Sequence, residues 1–173
     1  MKYFATLLLG LLSLKGFAQK SPAGLEGVIK DGKLILNKRM INKDWNLQTA
    51  NLVLGKADRF TEGANRVYLY DKKGIVVYEA KRNGRPTGMI NELGIHFSIP
   101  ASNVIIPYST YPGSFNIEGI AITKDTRWED ISSSLEAQGY KKKGPYWYSK
   151  KGIYIIFRFS PDSSLEYLSI GKG

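Results

Sequence analysis

Short apolar runs separated by glycine-bearing turns recur along the chain, and the two best-marked runs nearly repeat each other. Residues 68–80 read YLYDKKGIVVYEA and residues 146–158 read YWYSKKGIYIIFR, identical at six of thirteen positions at a constant offset of 78. Self-similarity at a fixed offset marks a duplicated structural unit. Upstream of the first copy, residues 27–37 (GVIKDGKLILN) place two apolar runs about Asp31-Gly32, the pattern of a two-residue hairpin. Asn42 or Asp44 can then cap a helix running to about Leu54, with Trp45, Leu52 and Val53 on one face and Gly55 as its stop.

The second copy repeats this order. Residues 119–123 match the strand at 34–37, Thr126 and Glu129 form a capping box, and Trp128, Ile131 and Leu135 follow at helical spacing until Gly139. Strands are expected at 67–71, 75–81 and 89–97 in the first half, and at 146–149, 153–160 and 165–170 in the second. The expected fold class is therefore α+β: an antiparallel sheet built from two β-α-β-β-β repeats with both helices packed on one face. Repeat one spans 27–97, a proline-marked connection spans 98–115, and repeat two spans 116–173.

The hairpin turns Asp71-Lys72-Lys73-Gly74 and Ser149-Lys150-Lys151-Gly152 are read as three-residue loops closed by a left-handed glycine. That register pairs Tyr70 with Val76 and Tyr148 with Tyr154. It puts Leu69, Ile75, Val77, Trp147, Ile153, Ile155 and Phe157 beneath the helices, where Trp45 and Trp128 meet them. On the open face it leaves six tyrosines, Tyr68, Tyr70, Tyr78, Tyr146, Tyr148 and Tyr154. Tyrosine suits a solvated strand surface, and it also offers large, rigid contact area at interfaces. These six are the candidate binding residues.

The N-terminus changes the compartment. Lys2, the apolar run 4–14 and Gly16-Phe17-Ala18 have the layout of a cleaved leader over residues 1–18. Residues 19–26 read as a flexible lead-in and 27–173 as a single α+β domain. Export to the periplasm or the cell exterior follows, with no membrane span after cleavage. Cysteine is absent from the sequence, which excludes disulfides, thiolate nucleophiles and a lipid anchor on sulfur. Removing Lys2 and Lys15 from 25 lysines and arginines leaves 23 against 15 acidic residues. This excess, concentrated in lysine-rich turns, suits solvated loops; as a contact surface it favours phosphate-rich envelope surfaces or an acidic envelope or extracellular protein over nucleic acid.

Candidate chemistry adds little. His96 is the one histidine, without the partners of a triad or a metal site. Glu79, Glu92, Glu118 and Glu166 show no spacing that pairs two carboxylates for acid–base work. The glycine-rich stretch 83–88 joins two strands and opens no helix, so it does not form a phosphate loop. No catalytic residue, metal ligand or cofactor is expected. The chain reads as an exported, non-enzymatic protein-binding module, the alternative being a structural or accessory envelope protein with no dedicated partner site.

A resemblance rests on the tandem pattern in which a helix ending in Leu54-Gly55, loosely repeated as Ala137-Gln138-Gly139, leads into a Tyr-x-Tyr strand. It resembles the duplicated units of beta-lactamase inhibitory proteins and is similar to the small helix-plus-sheet subunit of the outer-membrane protein assembly machine. No inhibitory motif is carried over residue by residue. The run 54–59 followed by 67–75 resembles uncharacterised exported bacterial domains, which implies a fold without a known activity.

Overall fold

A computed structural model describes residues 25–99 and 105–173. The expected leader 1–18, residues 19–24 of the lead-in and residues 100–104 of the connection lie outside the described residues. In chain order the elements are β1 (Glu26–Lys30), β2 (Lys33–Leu36), β3 (Arg39–Met40), α1 (Leu47–Leu54), β4 (Arg59–Glu62), β5 (Arg66–Tyr70), β6 (Ile75–Arg82) and β7 (Arg85–His96). After the connection come β8 (Ser114–Ile117), β9 (Ile120–Ile122), α2 (Trp128–Ala137), β10 (Lys141–Gly144), β11 (Trp147–Lys150), β12 (Ile153–Phe159) and β13 (Leu165–Lys172).

The strands form two sheets, one ordered β3-β2-β1-β8-β9 and the other β10-β11-β12-β13-β7-β6-β5-β4. The α+β expectation is thereby corrected. The protein is mostly β, with helices of only eight and ten residues, and much of the layer above the large sheet is itself a sheet. The cause lies in the early strands of each half. The hairpins β1–β2 and β8–β9 do not join the large sheet; β1 and β8 pair with each other in parallel and make a second one. Apolar alternation specifies a strand but not the sheet it enters.

Both helices also start later than their sequence signals. Asn42 is taken up by the β1–β2 hairpin, accepting from the Leu34 N–H at 3.0 Å and donating to the Gly32 carbonyl at 2.7 Å. Trp45 stands at φ 46°, and Asn46 caps α1 by accepting from the Thr49 N–H at 2.7 Å. The Thr126 hydroxyl accepts from the Thr123 N–H at 2.8 Å, so α2 begins at Trp128 without a side-chain cap.

The register of the hairpins decides which face each tyrosine takes. Tyr70 pairs with Ile75 and Tyr68 with Val77, because residues 71–74 make a four-residue loop containing a single 3-10 turn. In the second hairpin Lys150 pairs with Ile153 and Tyr148 with Ile155, leaving a two-residue turn, Lys151-Gly152. Gly74 and Gly152 hold the expected positive φ, 60° and 78°, but each loop differs by one residue from the three-residue reading. A one-residue slip exchanges the faces of a strand pair. The inner face is thus Tyr68, Tyr70, Ile75 and Val77 in one hairpin and Tyr148, Ile153, Ile155 and Phe157 in the other.

One continuous core joins that inner face to both helices and the small sheet. It includes Tyr70 and Tyr148 beside Leu93, Ile95, Leu168 and Ile170, Ala50 and Leu54 of α1, Ile131 and Leu135 of α2, and Ile29, Leu34, Phe115 and Ile117 of the small sheet. The Tyr70 hydroxyl donates to Asn51 Oδ1 at 2.7 Å and the Tyr148 hydroxyl to Glu136 Oε1 at 2.9 Å. Each buried tyrosine therefore reaches from the large sheet to the helix above it and keeps its polar end satisfied.

Candidate functional site

The six tyrosines do not share a face. Tyr70 and Tyr148 are 1% and 0% exposed in the core. Tyr68 is half-buried on the inner side, with its hydroxyl donating to Glu79 Oε2 at 2.7 Å. Tyr146 stands at φ 57° before β11, exposed, with its ring 4.8 Å from that of Trp128. Only Tyr78 and Tyr154 face outward on the large sheet. The single open tyrosine face is corrected accordingly, the one-residue register difference being its cause. Trp147, expected in the core, pairs with Ile156 on the outer face and is 42% exposed. Trp45 is buried as expected, and Trp128 is half-buried against Tyr148 and Phe157.

The outer face has a built centre. One row across it runs Val67, Tyr78, Glu92, Gly171, Tyr154, Ser149 and Lys141 over seven neighbouring strands. Glu92 accepts from the Tyr154 hydroxyl at 3.1 Å and the Tyr167 hydroxyl at 2.9 Å. Both tyrosine pKa values are raised, first by burial and then by the Glu92 charge, so the hydroxyls stay protonated and donate. Glycine makes room for the rings. A Cβ on Gly94 would lie 2.3 Å from the Tyr167 hydroxyl oxygen, and one on Gly171 would lie 2.2 Å from the Tyr154 ring. Behind Tyr167, His96 is buried with its ring 4.7 Å away. Its pKa is lowered to about 4, mainly by burial and further by the Arg158 charge.

The remaining buried acids are held by structural partners. Glu79 takes the Tyr68 hydroxyl and the Gly88 N–H. Asp71 takes two bonds from Arg59, at 2.9 and 3.1 Å, and the Tyr108 N–H at 3.1 Å, which fastens the connection to the first hairpin. Glu118 accepts from Lys150 at 2.8 Å, Tyr140 at 3.1 Å and the Asp31 N–H at 2.8 Å. Among the described residues no three His, Asp or Glu side chains gather as a metal site, and no helix is long and apolar enough to cross a membrane.

Toward β10 the outer face opens into a groove of roughly 650 Å³ lined by Trp147, Tyr154, Ser149, Lys141, Lys143 and Lys151 among others. Tyr154 ties this groove to the Glu92 centre. Of the candidate tyrosines only Tyr154 lines it. Sequence reasoning tied the lysine-rich turns to a partner but missed Trp147 and Tyr167. Two signals pointed to them: the Lys151-Gly152 pair, which suits a two-residue turn and sets the register that turns Trp147 outward, and the strand glycines Gly94 and Gly171, which imply close approach of large side chains.

No curated protein and no solved structure matches the chain. Residues 28–132 match a family described as a domain of unknown function (DUF7738), a stretch running from β1 into α2. The match spans more than half of the sequence, and the chain belongs to that family.

Proposed function

We propose that the protein is exported after loss of residues 1–18 and acts as a non-enzymatic protein-binding module, with its contact surface at the Trp147 groove. The observation that carries this reading is an exposed tryptophan, 42% accessible, beside a half-buried tyrosine and four lysines. Aromatic side chains with rigid surroundings dominate binding energy at interfaces, and charged groups at the rim steer the encounter. Tyr154 is held rigid by Glu92 and Gly171, so presenting it to a partner costs little conformational entropy. Occupation of the buried carboxylates by structural partners supports a binding role over catalysis.

The two halves read as copies of one duplicated unit. The large sheet supports this by running β4-β5-β6-β7 to its centre and β13-β12-β11-β10 away from it. The copies have diverged at the groove: Trp147 stands where the first copy has Leu69, which is fully buried. The pattern shared with beta-lactamase inhibitory proteins contributes no residue to the site.

The test is capture from the exported fraction of the producing cell by the mature protein and by its Trp147→Ala variant. A Leu52→Ala variant serves as control, since Leu52 is exposed on α1, away from the groove. Loss of one stoichiometric partner from Trp147→Ala alone is expected. Equal capture by all three proteins, or only diffuse association that salt removes, overturns the reading.

A further inference from the structure

The groove ends at a sheet edge, and the two edges of the large sheet differ in their charges. At the β4 edge the charged groups are paired within the fold: Arg59 with Asp71, and Glu62 with both Arg66 and Lys81. At the β10 edge, Lys141, Lys142 and Lys143 are exposed, and none has a carboxylate within salt-bridge distance among the described residues. Residues 1–24 and 100–104 contain no acidic side chain that could supply one.

β10 pairs only with β11. No backbone bond to another segment satisfies its outer row among the described residues. Such a row is a template for an added strand. Lys141 pairs with Ser149 on the outer face and Lys142 with Tyr148 on the other, its Nζ 6.0 Å from the Trp128 ring; a bulge then leaves Lys143 unpaired, lining the groove beside Trp147, before Gly144 pairs with Trp147. An added strand would therefore meet lysine on both of its faces. It would also send every second side chain toward the groove.

We propose that β10 accepts an extended acidic segment of a partner protein as a ninth strand, with carboxylates against Lys141–Lys143 and an apolar side chain over Trp147. The lysines select the occupant. A second copy of this chain, pairing edge to edge, would set lysine against lysine at a cost that grows as salt is lowered. An acidic strand gains from the same charges. The proposal rests on the protein-binding reading and narrows it to a mode and a charge.

The probe is a labelled seven-residue peptide alternating glutamate with valine or phenylalanine, beside the same sequence N-methylated at alternate backbone amides. Methylation keeps every charge and side chain but removes the donors an added strand needs. The expected result is binding of the plain peptide with slowed amide exchange confined to 141–144. Binding should weaken at least about tenfold on methylation and, separately, in the Lys141→Glu/Lys143→Glu variant, whose circular dichroism stays that of the parent. Absence of binding, equal binding of the methylated peptide, or protection away from β10 overturns the edge proposal. The protein-binding reading fails separately, when Trp147→Ala captures as the parent does. A partner lost from Trp147→Ala that leaves β10 exchange unchanged would sustain the groove and end the edge.

Discussion

At the scale of single residues, the Tyr-x-Tyr pattern shows how little separates a surface motif from a core one. Tyr70 and Tyr148 were legible as equivalent by their offset of 78, and they are equivalent: both are buried and both hold a helix through the hydroxyl. Their face was not legible, because it depends on whether the following loop has two, three or four residues. His96 carries a consequence that can be measured. Burial lowers its pKa from an ordinary 6.5 to about 4, so the unfolded chain takes up a proton in a range where the folded chain does not. Stability is then full above about pH 6.5 and falls as pH drops toward 4, by about 2 kcal/mol at about pH 5. As the sole histidine, it has little competition from other side chains between pH 7 and 5. Urea unfolding across that range should show the loss in the parent and not in His96→Phe; parallel curves for the two would mean that His96 is open to protons when folded.

At the scale of elements, the two-residue turns share a local signal that the sequence reading used only in part. Asp31-Gly32, Asn83-Gly84, Glu118-Gly119 and Lys151-Gly152 all have both residues at positive φ, which asparagine, aspartate and glycine tolerate best. Asp31-Gly32 was read correctly from its sequence. Lys151-Gly152 was misread by analogy with residues 71–74, whose glycine serves a different end: a Cβ on Gly74 would lie 2.2 Å from the backbone nitrogen of Tyr111, where the connection crosses the hairpin. Sheet membership was illegible, since nothing local in β1 or β8 states that they pair with each other. Three of these turns meet in one junction, in which Glu118 binds Lys150 and the Asp31 N–H while Lys151 reaches Asp31 at 3.4 Å. The junction joins the small sheet to the large one. Lys150 and Glu118 side chains are only 11% and 7% exposed, so removing one partner strands the other. Lys150→Met should cost about 3 to 5 kcal/mol, and adding Glu118→Gln should restore a large part of it. An additive double variant in chemical denaturation would show that the pair is not coupled.

At the scale of the whole molecule, the two halves are joined by more than a connection. β7 and β13 lie side by side at the middle of the large sheet, paired from Tyr167 and His96 to Gly171 and Glu92, while β1 and β8 pair at the centre of the small one. Cutting the chain at Gly113 therefore exposes two new strand edges in each fragment and divides a single core. A fragment of residues 25–113 keeps β5, β6 and β7 but loses Leu168 and Ile170 from beside Leu93 and Ile95; residues 114–173 suffer the reciprocal loss. A core of that size opened along two lines falls below what small domains need to fold alone. Neither fragment should show a cooperative thermal transition by circular dichroism, whereas an equimolar mixture should regain one, because the strand pairings that fail within each piece can form between them. A cooperative transition in either fragment alone would mean that each half supplies its own core, and that the central pairings add contact without being needed for folding.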